Sequence, residues 1–296
     1  MAQVEARSLV QPRSTTWTAA RVQKLLRAAL IYAVLLAGSV VFTVPFLWMI
    51  SSSLKTQVEV FVFPPRPLPK VFHWENYPNA LTAVPFGRYF LNSLFVSGMV
   101  VVGTVISSSM VGYGFARVRG WGRNALFAIV LATMMLPNQV TMIPTFLIFR
   151  KLNWINTFAP LTVPFFFGSA FNIFLYRQFF MGISSEISDA SKIDGCNHFS
   201  TYWRIIMPMS QAATATIAIL AFFWSWNEFL LPLIYLNADR LYTVPLGLAM
   251  FQQFYDVQTP WHWLMAASVV AVLPLIIIFF LAQRVFVQGI VITGVK

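Results

Sequence analysis

Charged residues are scarce in this sequence. Only 10% of the 296 residues are Asp, Glu, Lys or Arg, whereas 58% are hydrophobic. Soluble domains are about one quarter charged. This scarcity argues against a soluble protein and directs attention to the long stretches that carry no charge at all.

Cysteine is nearly absent, and acidic residues are few. The single cysteine, Cys196, excludes an internal disulfide, so cysteine usage does not identify the redox compartment. No Gly-rich stretch ends in Gly-Lys-Ser or Gly-Lys-Thr, which excludes a phosphate-binding P-loop in this chain. The three histidines, His73, His198 and His262, are too scattered in sequence to predict a metal cage.

Six uncharged runs are each long enough to cross a bilayer, for which about 20 apolar residues are needed. They are Ala28–Leu54, Tyr89–Ala116, Asn124–Phe149, Leu152–Tyr176, Ile205–Asn227 and Val257–Gln283. We therefore predict an all-α membrane protein, a polytopic bundle of six transmembrane helices. The predicted helices cover residues 28–50, 89–114, 124–148, 156–178, 209–235 and 261–284. A seventh apolar stretch, Leu241–Tyr255, is too short and carries two glutamines, so we expect it outside the membrane or at its interface.

The distribution of Lys and Arg predicts the orientation. With both termini in the cytoplasm, 13 basic residues lie on the inner side and 7 on the outer side, as the positive-inside rule favours. We expect cytoplasmic tails at residues 1–25 and 286–296, flanking a transmembrane domain at residues 26–285. The basic residues lie at membrane boundaries, in contact with lipid, and not in one patch that would indicate nucleic-acid binding.

Prolines and small residues modify the predicted helices. Pro137 and Pro144 lie within the third predicted helix and should bend or break it. Glycine and serine recur along the second predicted helix, between Gly98 and Gly114, which permits close helix packing.

One compact polar segment, residues 188–211, lies between the fourth and fifth predicted helices, on the cytoplasmic side. A short helix is predicted around its start. Ser185 is suited to cap this helix, Glu186 to its first turn, and Gly195 to its left-handed end.

The short helix is predicted to be amphipathic. Ile187, Ala190 and Ile193 recur at a spacing of three and form an apolar face. Ser188, Asp189 and Lys192 are assigned to the polar side. From the residues alone, such a helix either rests on lipid or docks against another protein.

The same segment resembles the EAA loop of ABC-importer permeases, whose pattern is Glu-Ala-Ala, three residues, Gly, nine residues, Ile, one residue, then Leu-Pro. The pattern positions are filled at matching spacing by Asp189, Ala190, Ser191, Gly195, Ile205, Met207 and Pro208. Asp189, Ser191 and Met207 depart from the pattern in residue type. The resemblance implies that this loop is a coupling helix that sits in a groove of an ATPase subunit. The implied coupling residues are Glu186, Asp189, Ala190, Ser191, Asp194, Gly195, Ile205 and Pro208.

The resemblance covers all but about the first 25 residues. The stretches "HWENYPNAL", "YGFARVRGWGR", "MMLPNQVTMIPTF", "FWSWNEFLLPL" and "LAQRVFVQGIVITGVK" are similar to carbohydrate permeases, particularly the smaller inner-membrane subunit of maltose-type importers. This implies a subunit of a binding-protein-dependent importer of a sugar or sugar-like solute, in a bacterial or archaeal cytoplasmic membrane. The implied partners are a second homologous permease, two ATPase subunits and an extracytoplasmic solute-binding protein. ATP and Mg would be bound by those partners, and this chain would bind no cofactor and would not itself be an enzyme.

Two groups of residues are candidates for contact with solute or binding protein. The candidates for the translocation path or gate are Asn92, Ser93, Asn227 and Glu228. A helix from Pro208 to Glu228 would be about 30 Å long, which puts Glu228 near the outer interface. There it either gates the path, meets the binding protein, pairs with a basic residue or reaches the headgroups. The candidates for binding-protein contact are Asp239, Arg240, Gln252, Gln253, Tyr255 and Asp256.

A self-sufficient secondary carrier or channel for a small polar solute is the alternative function. An ion-coupled carrier needs charged groups near the bilayer midplane. Here the acidic residues lie at the ends of the predicted spans. We therefore expect alternating access driven by ATP hydrolysis in partner subunits.

Overall fold

The computed structural model describes the backbone of residues 16–253 and 259–293, with side chains described in residues 21–137, 139–252 and 259–283. All regular structure within those ranges is helical, as predicted. The α-helices in chain order are α1 (Thr16–Ser53), α2 (Gln57–Val60), α3 (Asn76–Ala83), α4 (Phe86–Arg117), α5 (Arg123–Thr133), α6 (Asn138–Lys151), α7 (Ala159–Thr162), α8 (Ala170–Gly182), α9 (Ser185–Ile193), α10 (His198–Thr201), α11 (Met207–Met209), α12 (Gln211–Asn227), α13 (Leu230–Tyr235), α14 (Val244–Gln253) and α15 (Trp261–Thr293). Two 3-10 segments, Val163–Phe167 and Asp239–Leu241, and one π-helical turn, Tyr202–Ile206, complete the set.

Four stretches of the described chain are helical, long and apolar enough to cross a bilayer: Arg21–Ser53, Phe86–Arg117, Ala159–Gly182 and Trp261–Gln283. A fifth results if His198–Met209 and Gln211–Asn227, which meet at 81°, are taken together. The third predicted span is two shorter helices, α5 and α6. The count of six spans therefore stays a prediction.

Several predicted helix bounds differ from the structure. The fifth predicted helix, 209–235, is divided into α11, α12 and α13. The last one runs on to Thr293, so residues 286–293 of the predicted C-terminal tail are helical, while residues 294–296 lie outside the described residues. Of the predicted N-terminal tail, residues 16–25 belong to α1 and residues 1–15 lie outside the described part.

The central helix of the bundle is α4, which packs against α8, α12 and α14. A Cβ atom added at Gly112 would lie 2.7 Å from the Cβ of Tyr176, so a glycine is needed where α4 meets α8. Ser107 Oγ donates to Phe165 O at 2.9 Å, which joins α4 to the segment before α8. The predicted role of small residues in close packing is confirmed at Gly103 and Gly112, whereas no atom lies within 4 Å of a Cβ added at Gly98 or Gly114.

Helix α1 presents apolar side chains to the outside of the chain. Leu36, Val41 and Phe42 are each at least 67% exposed. A soluble monomer rarely exposes so continuous an apolar surface. This exposure fits a helix surrounded by lipid or by a partner subunit.

The apolar stretch Leu241–Tyr255, expected outside the membrane or at its interface, contains a helix that packs against other helices of the bundle. Helix α14 buries Val244, Leu246 and Phe251 and packs against α4 and α15. A Cβ atom at Gly247 would lie 2.3 Å from Tyr89 Cδ2, so α14 lies directly on α4. Packing against α4 and α15 does not fix the depth of α14 in the membrane, so its expected place outside the membrane or at its interface stays a prediction.

The segment after α1 folds back onto the end of that helix. Lys55 Nζ donates to Arg66 O at 2.6 Å and lies 4.4 Å from the centroid of the Trp48 ring. Asn76 Nδ2 donates to Ser53 O and to Lys55 O, each at 2.9 Å. These bonds hold the proline-rich loop against the bundle.

Candidate functional site

Helix α9 begins at a serine cap. Ser184 Oγ accepts a hydrogen bond from Glu186 N at 3.2 Å, so Ser184 is the N-cap, one residue before the predicted Ser185. Both serines satisfy the residue preference of an N-cap. The sequence therefore predicted the kind of cap and missed its position by one residue.

Helix α9 ends in a Schellman motif. Gly195 has φ of 79°, and its N–H donates to Lys192 O at 3.0 Å. The N–H of the next residue, Cys196, donates to Ser191 O at 2.9 Å. These paired bonds need a left-handed residue at the glycine position. The prediction that Gly195 stops the helix is confirmed.

The face that α9 turns toward the protein consists of serines. Ser188, assigned by the sequence to the polar side, is buried together with Ser191. Ser191 Oγ forms a 2.9 Å hydrogen bond with Thr201 Oγ1, which ties α9 to α10. In contrast, Ile193 of the predicted apolar face is 87% exposed, and Ala190 is exposed as well. Ala190 and Ile193 therefore point away from the bundle, whereas Ile187 is half-buried. On the interior side the Ser191 hydroxyl is hydrogen bonded, and the buried Ser188 hydroxyl has no hydrogen-bond partner among the described residues.

The charged residues of α9 are on the outside. Asp189 Oδ1 lies 3.1 Å from Lys192 Nζ, and both side chains are more than half exposed. An exposed pair of this kind contributes little to stability. Glu186 and Asp194 are exposed too, so all three acidic groups remain accessible to a partner.

After Gly195 the chain turns back into the bundle through α10. Asn197 Oδ1 accepts from Ser200 N at 2.8 Å and caps this short helix. Tyr202 is buried, and its hydroxyl lies 2.7 Å from Ser109 Oγ of α4. The sequence argument overlooked Asn197 and Tyr202. Asn197 carries a recognisable capping signal, whereas the partner of Tyr202 is 93 residues away and leaves no local signal.

The chain beyond α10 bends sharply before it enters the membrane bundle. Ile205 is half-buried and Pro208 is exposed, and both precede a break at Ser210 where the chain turns by 81°. Ser210 Oγ donates to Ile206 O at 2.6 Å across this break. The predicted continuous helix from Pro208 to Glu228 is therefore wrong, because Gln211 starts a separate helix.

The path candidates fall into two groups. Asn92 Nδ2 donates to Arg240 O at 3.0 Å and to Tyr242 O at 2.9 Å, so this side chain fastens the segment before α14 to α4. Asn227 is exposed and donates to Phe223 O within its own helix. Neither residue lines the cleft described next.

Ser93 and Glu228 lie together on one narrow cleft. Ser93 Oγ accepts from Val244 N at 2.8 Å, and Glu228 Oε1 accepts from Leu231 N at 3.1 Å. The other residues of the cleft are Val96, Leu161, Phe165, Trp224, Ser225, Leu231, Pro232 and Thr243. The open volume of this cleft is ≈ 10 Å³, which is room for about one water molecule, so the cleft is too narrow for a solute in this conformation.

The candidates for binding-protein contact are only partly described. Asp239 and Arg240 are exposed at the surface, and Asp239 Oδ1 accepts a hydrogen bond from Tyr89 OH. Gln252 is also exposed. Tyr255 and Asp256, and the side chain of Gln253, lie outside the described residues.

A helical membrane bundle that presents a short helix on a sharp loop, with no P-loop of its own, has the features of a transport permease. Residues 105–292 match the family described as the inner membrane component of binding-protein-dependent transport systems. The chain belongs to this family and is a membrane-embedded permease subunit. The prediction of family and of permease function is confirmed.

Similar proteins of nearly the same length are transport permeases. The chain is 34% identical over 253 residues to the probable ABC transporter permease protein YurM of Bacillus subtilis (strain 168), covering 85% of this chain and 83% of that protein. It is 35% identical over 229 residues to the arabinooligosaccharides transport system permease protein AraQ of the same organism, covering 77% and 80%. It is 32% identical over 268 residues to the sn-glycerol-3-phosphate transport system permease protein UgpE of Rhizobium meliloti (strain 1021), covering 88% and 94%.

Two solved structures share the fold. A chain of a bacterial ABC transporter involved in the import of the acidic polysaccharide alginate superposes with a TM-score of 0.76 at 23% identity, covering 93% of this chain and 99% of that one. A chain of a bacterial alginate ABC transporter in complex with an alginate pentasaccharide-bound periplasmic protein gives 0.63 at 15% identity, covering 88% and 95%.

Proposed function

We propose that this chain forms one half of the translocation path of an ATP-driven importer for a carbohydrate or a sugar-like solute. Relatives named for arabinooligosaccharides, starch degradation products and sn-glycerol-3-phosphate support this substrate class. The proposed assembly contains a second homologous permease, two ATPase subunits that bind ATP and Mg, and an extracytoplasmic solute-binding protein. In this assembly α9 and both chain termini lie on the cytoplasmic side.

The exposed face of α9 is the observation that carries the proposal. Ile193 is 87% exposed and Phe199 is 63% exposed, although the segment that bears them is anchored to the bundle through Thr201 and Tyr202. Apolar groups held outward on a fixed support suit burial against another protein. We assign this face to the ATPase subunit.

The charge of α9 favours a protein partner over lipid. A helix that rests on a membrane usually carries a polar face rich in Lys and Arg, which attracts anionic headgroups. On α9 and its end, the acidic residues Glu186, Asp189 and Asp194 outnumber the one basic residue, Lys192. An anionic membrane surface would repel this face.

The break between α5 and α6 supports a path shared with another subunit. Met135 is 83% exposed and Leu136 is 58% exposed at this break, which ends at Pro137. Irregular backbone at membrane depth is tolerated where protein or a water-filled cavity covers it, and is too costly in lipid. We therefore place this break at the second permease or along the solute path, which then opens to alternate sides of the membrane.

The proposal is tested at Ile193 with purified components. Ile193→Asp places a charge in the proposed interface, so co-purification with the ATPase subunit should fall by about tenfold or more, equivalent to about 1.4 kcal/mol. Ile193→Leu is the matched control and should co-purify normally. Normal co-purification and normal ATP hydrolysis with Ile193→Asp would contradict the proposal, and solute transport by this chain alone in vesicles would favour a self-sufficient carrier.

A further inference from the structure

The docking segment touches the central helix through one buried hydrogen bond. Tyr202 is 3% exposed and Ser109 is 0% exposed, and their hydroxyl oxygens lie 2.7 Å apart. Tyr202 belongs to the turn that follows α9 and α10, whereas Ser109 lies in the middle of the C-terminal half of α4. The bond therefore joins the surface loop directly to the helix around which the bundle packs.

The direction of this hydrogen bond follows from the partners of the serine. Ser109 Oγ also contacts the carbonyl of Val105, one turn earlier in α4. A serine hydroxyl has one proton to donate, and a carbonyl oxygen only accepts. The serine proton therefore goes to Val105 O, and the Tyr202 hydroxyl donates to Ser109 Oγ.

The covalent route from α9 to α12 contains two irregular places. It passes through the π-helical turn Tyr202–Ile206 and then through the 81° bend at Ser210. Single π turns interrupt the regular helical hydrogen bonding and often mark functional sites. We expect part of any displacement of α9 to be lost at these two places before it reaches α12.

A second route from α9 to the bundle runs through side chains. Ser191 Oγ is hydrogen bonded to Thr201 Oγ1, so α9 and α10 move together. The Tyr202 ring lies 5.4 Å from that of Tyr113, also on α4, within a buried cluster that includes Phe180 of α8. Packed side chains with hydrogen bonds are the physical means by which displacement passes between elements.

We propose that Tyr202 is a positioning residue that transmits motion of the α9 segment to α4 through its hydrogen bond with Ser109. The inference rests on the proposed function, since it requires that α9 docks on the ATPase. It adds the specific contact through which ATP hydrolysis and opening of the path are linked.

The test uses the full complex with Tyr202→Phe, which keeps the ring and removes the donating hydroxyl. We expect co-purification of the ATPase and its basal ATP hydrolysis to be unchanged. Stimulation by solute-loaded binding protein should fall by about fivefold or more, the low end of coupling between distant sites. The amount of solute carried per ATP hydrolysed should fall too, which a loss of stability alone would not produce.

The matched control is Tyr113→Phe, which removes a hydroxyl from the same aromatic cluster and leaves the Tyr202–Ser109 bond in place. It should behave as the unaltered protein. Ser109→Ala removes the acceptor of the same hydrogen bond and should therefore reduce stimulation as Tyr202→Phe does. It also replaces Tyr202→Phe if that variant assembles poorly. The double variant should be no worse than the more impaired single variant, because both remove one interaction. The inference would be overturned if Tyr202→Phe or Ser109→Ala assembles and shows both normal stimulation of ATP hydrolysis and a normal ratio of solute carried to ATP hydrolysed.

The result also separates this inference from the proposed function. If Ile193→Asp abolishes ATPase binding while Tyr202→Phe is fully coupled, α9 docks as proposed and the transmitting contact lies elsewhere. If Ile193→Asp has no effect, the docking itself is wrong, and the inference falls with it.

Discussion

At the scale of single residues, the Lys55 ammonium lies inside protein, with only 1% of the residue exposed. Burial lowers the pKa of Lys55, and the nearby Glu59 carboxylate partly offsets this. The charge is tolerated because Arg66 O and the face of the Trp48 ring surround it. Lys55 therefore holds the proline-rich loop against the end of α1.

Removal of this contact should loosen the proline-rich loop. Lys55→Met keeps the apolar stem and removes the donor, which leaves Arg66 O without its partner. We expect a loss of about 1–2 kcal/mol in the free energy of unfolding, measured in detergent, and faster protease cleavage between residues 55 and 75. Lys70→Met, at an exposed site in the same loop, is the control. Equal cleavage rates for both variants would show that Lys55 does not hold the loop.

Gly195 gives a second prediction at this scale. Proline fixes φ near −65° and lacks the N–H that bonds Lys192 O, so Gly195→Pro cannot form the Schellman motif. The variant should still insert in the membrane and should lose binding-protein-stimulated ATP hydrolysis. Gly195→Asn is the control, because asparagine tolerates left-handed backbone, and it should retain most of the stimulation. Full stimulation with Gly195→Pro would mean that the end of α9 has no part in coupling.

At the scale of elements, the contact between α4 and α8 depends on Gly112. A side chain there would meet Tyr176 Cβ at 2.7 Å and the backbone of Arg177 at 3.2 Å, and neither atom can move without shifting α8. Gly112→Ala should therefore destabilise the protein by about 1–3 kcal/mol. Gly114→Ala is the matched control two residues away, because nothing lies within 4 Å of its added Cβ. It should be neutral or slightly stabilising, so equal thermal unfolding of the two variants would contradict this account of the packing.

The elements also show what the sequence could and could not predict. Pro137 predicted the break between α5 and α6, because proline removes a helical hydrogen bond wherever it stands. Pro144 lies within α6 without ending it. The bend at Ser210 carries no such signal, since a serine that bonds back to Ile206 O is common in unbroken helices. The residue type at Pro137 was therefore enough to predict a helix break, whereas the bend at Ser210 depends on packing between distant parts of the chain.

The candidate site divides in the same way. The end of α9 at Gly195 follows from residue type and spacing, and the structure confirms it. The inward face of α9 could not be predicted in this way. It depends on Thr201, whose hydroxyl forms a hydrogen bond with the buried Ser191 hydroxyl. The cleft that joins Ser93 to Glu228 brings together residues 135 positions apart in the sequence, and no periodicity within one helix predicts such a contact.

At the scale of the whole molecule, the exposed surface of α9 is the proposed link between the membrane bundle and the ATPase subunit. The α9 face lies at the end of the bundle, and the buried cluster of Tyr113, Phe180 and Tyr202 lies behind it. The cleft at Glu228 is at the far end of α12 from Ser210. The central claim is that the α9 surface faces the cytoplasm and is covered by an ATPase subunit.

The most direct test uses Cys196, the single thiol of the chain, which is partly exposed beside Gly195. A membrane-impermeant maleimide should not label it in intact cells and should label it rapidly in inside-out vesicles stripped of peripheral subunits. Added ATPase subunit should slow this labelling, and the Ile193→Asp variant should abolish the slowing. Labelling in intact cells, or a rate unaffected by the ATPase, would contradict the account.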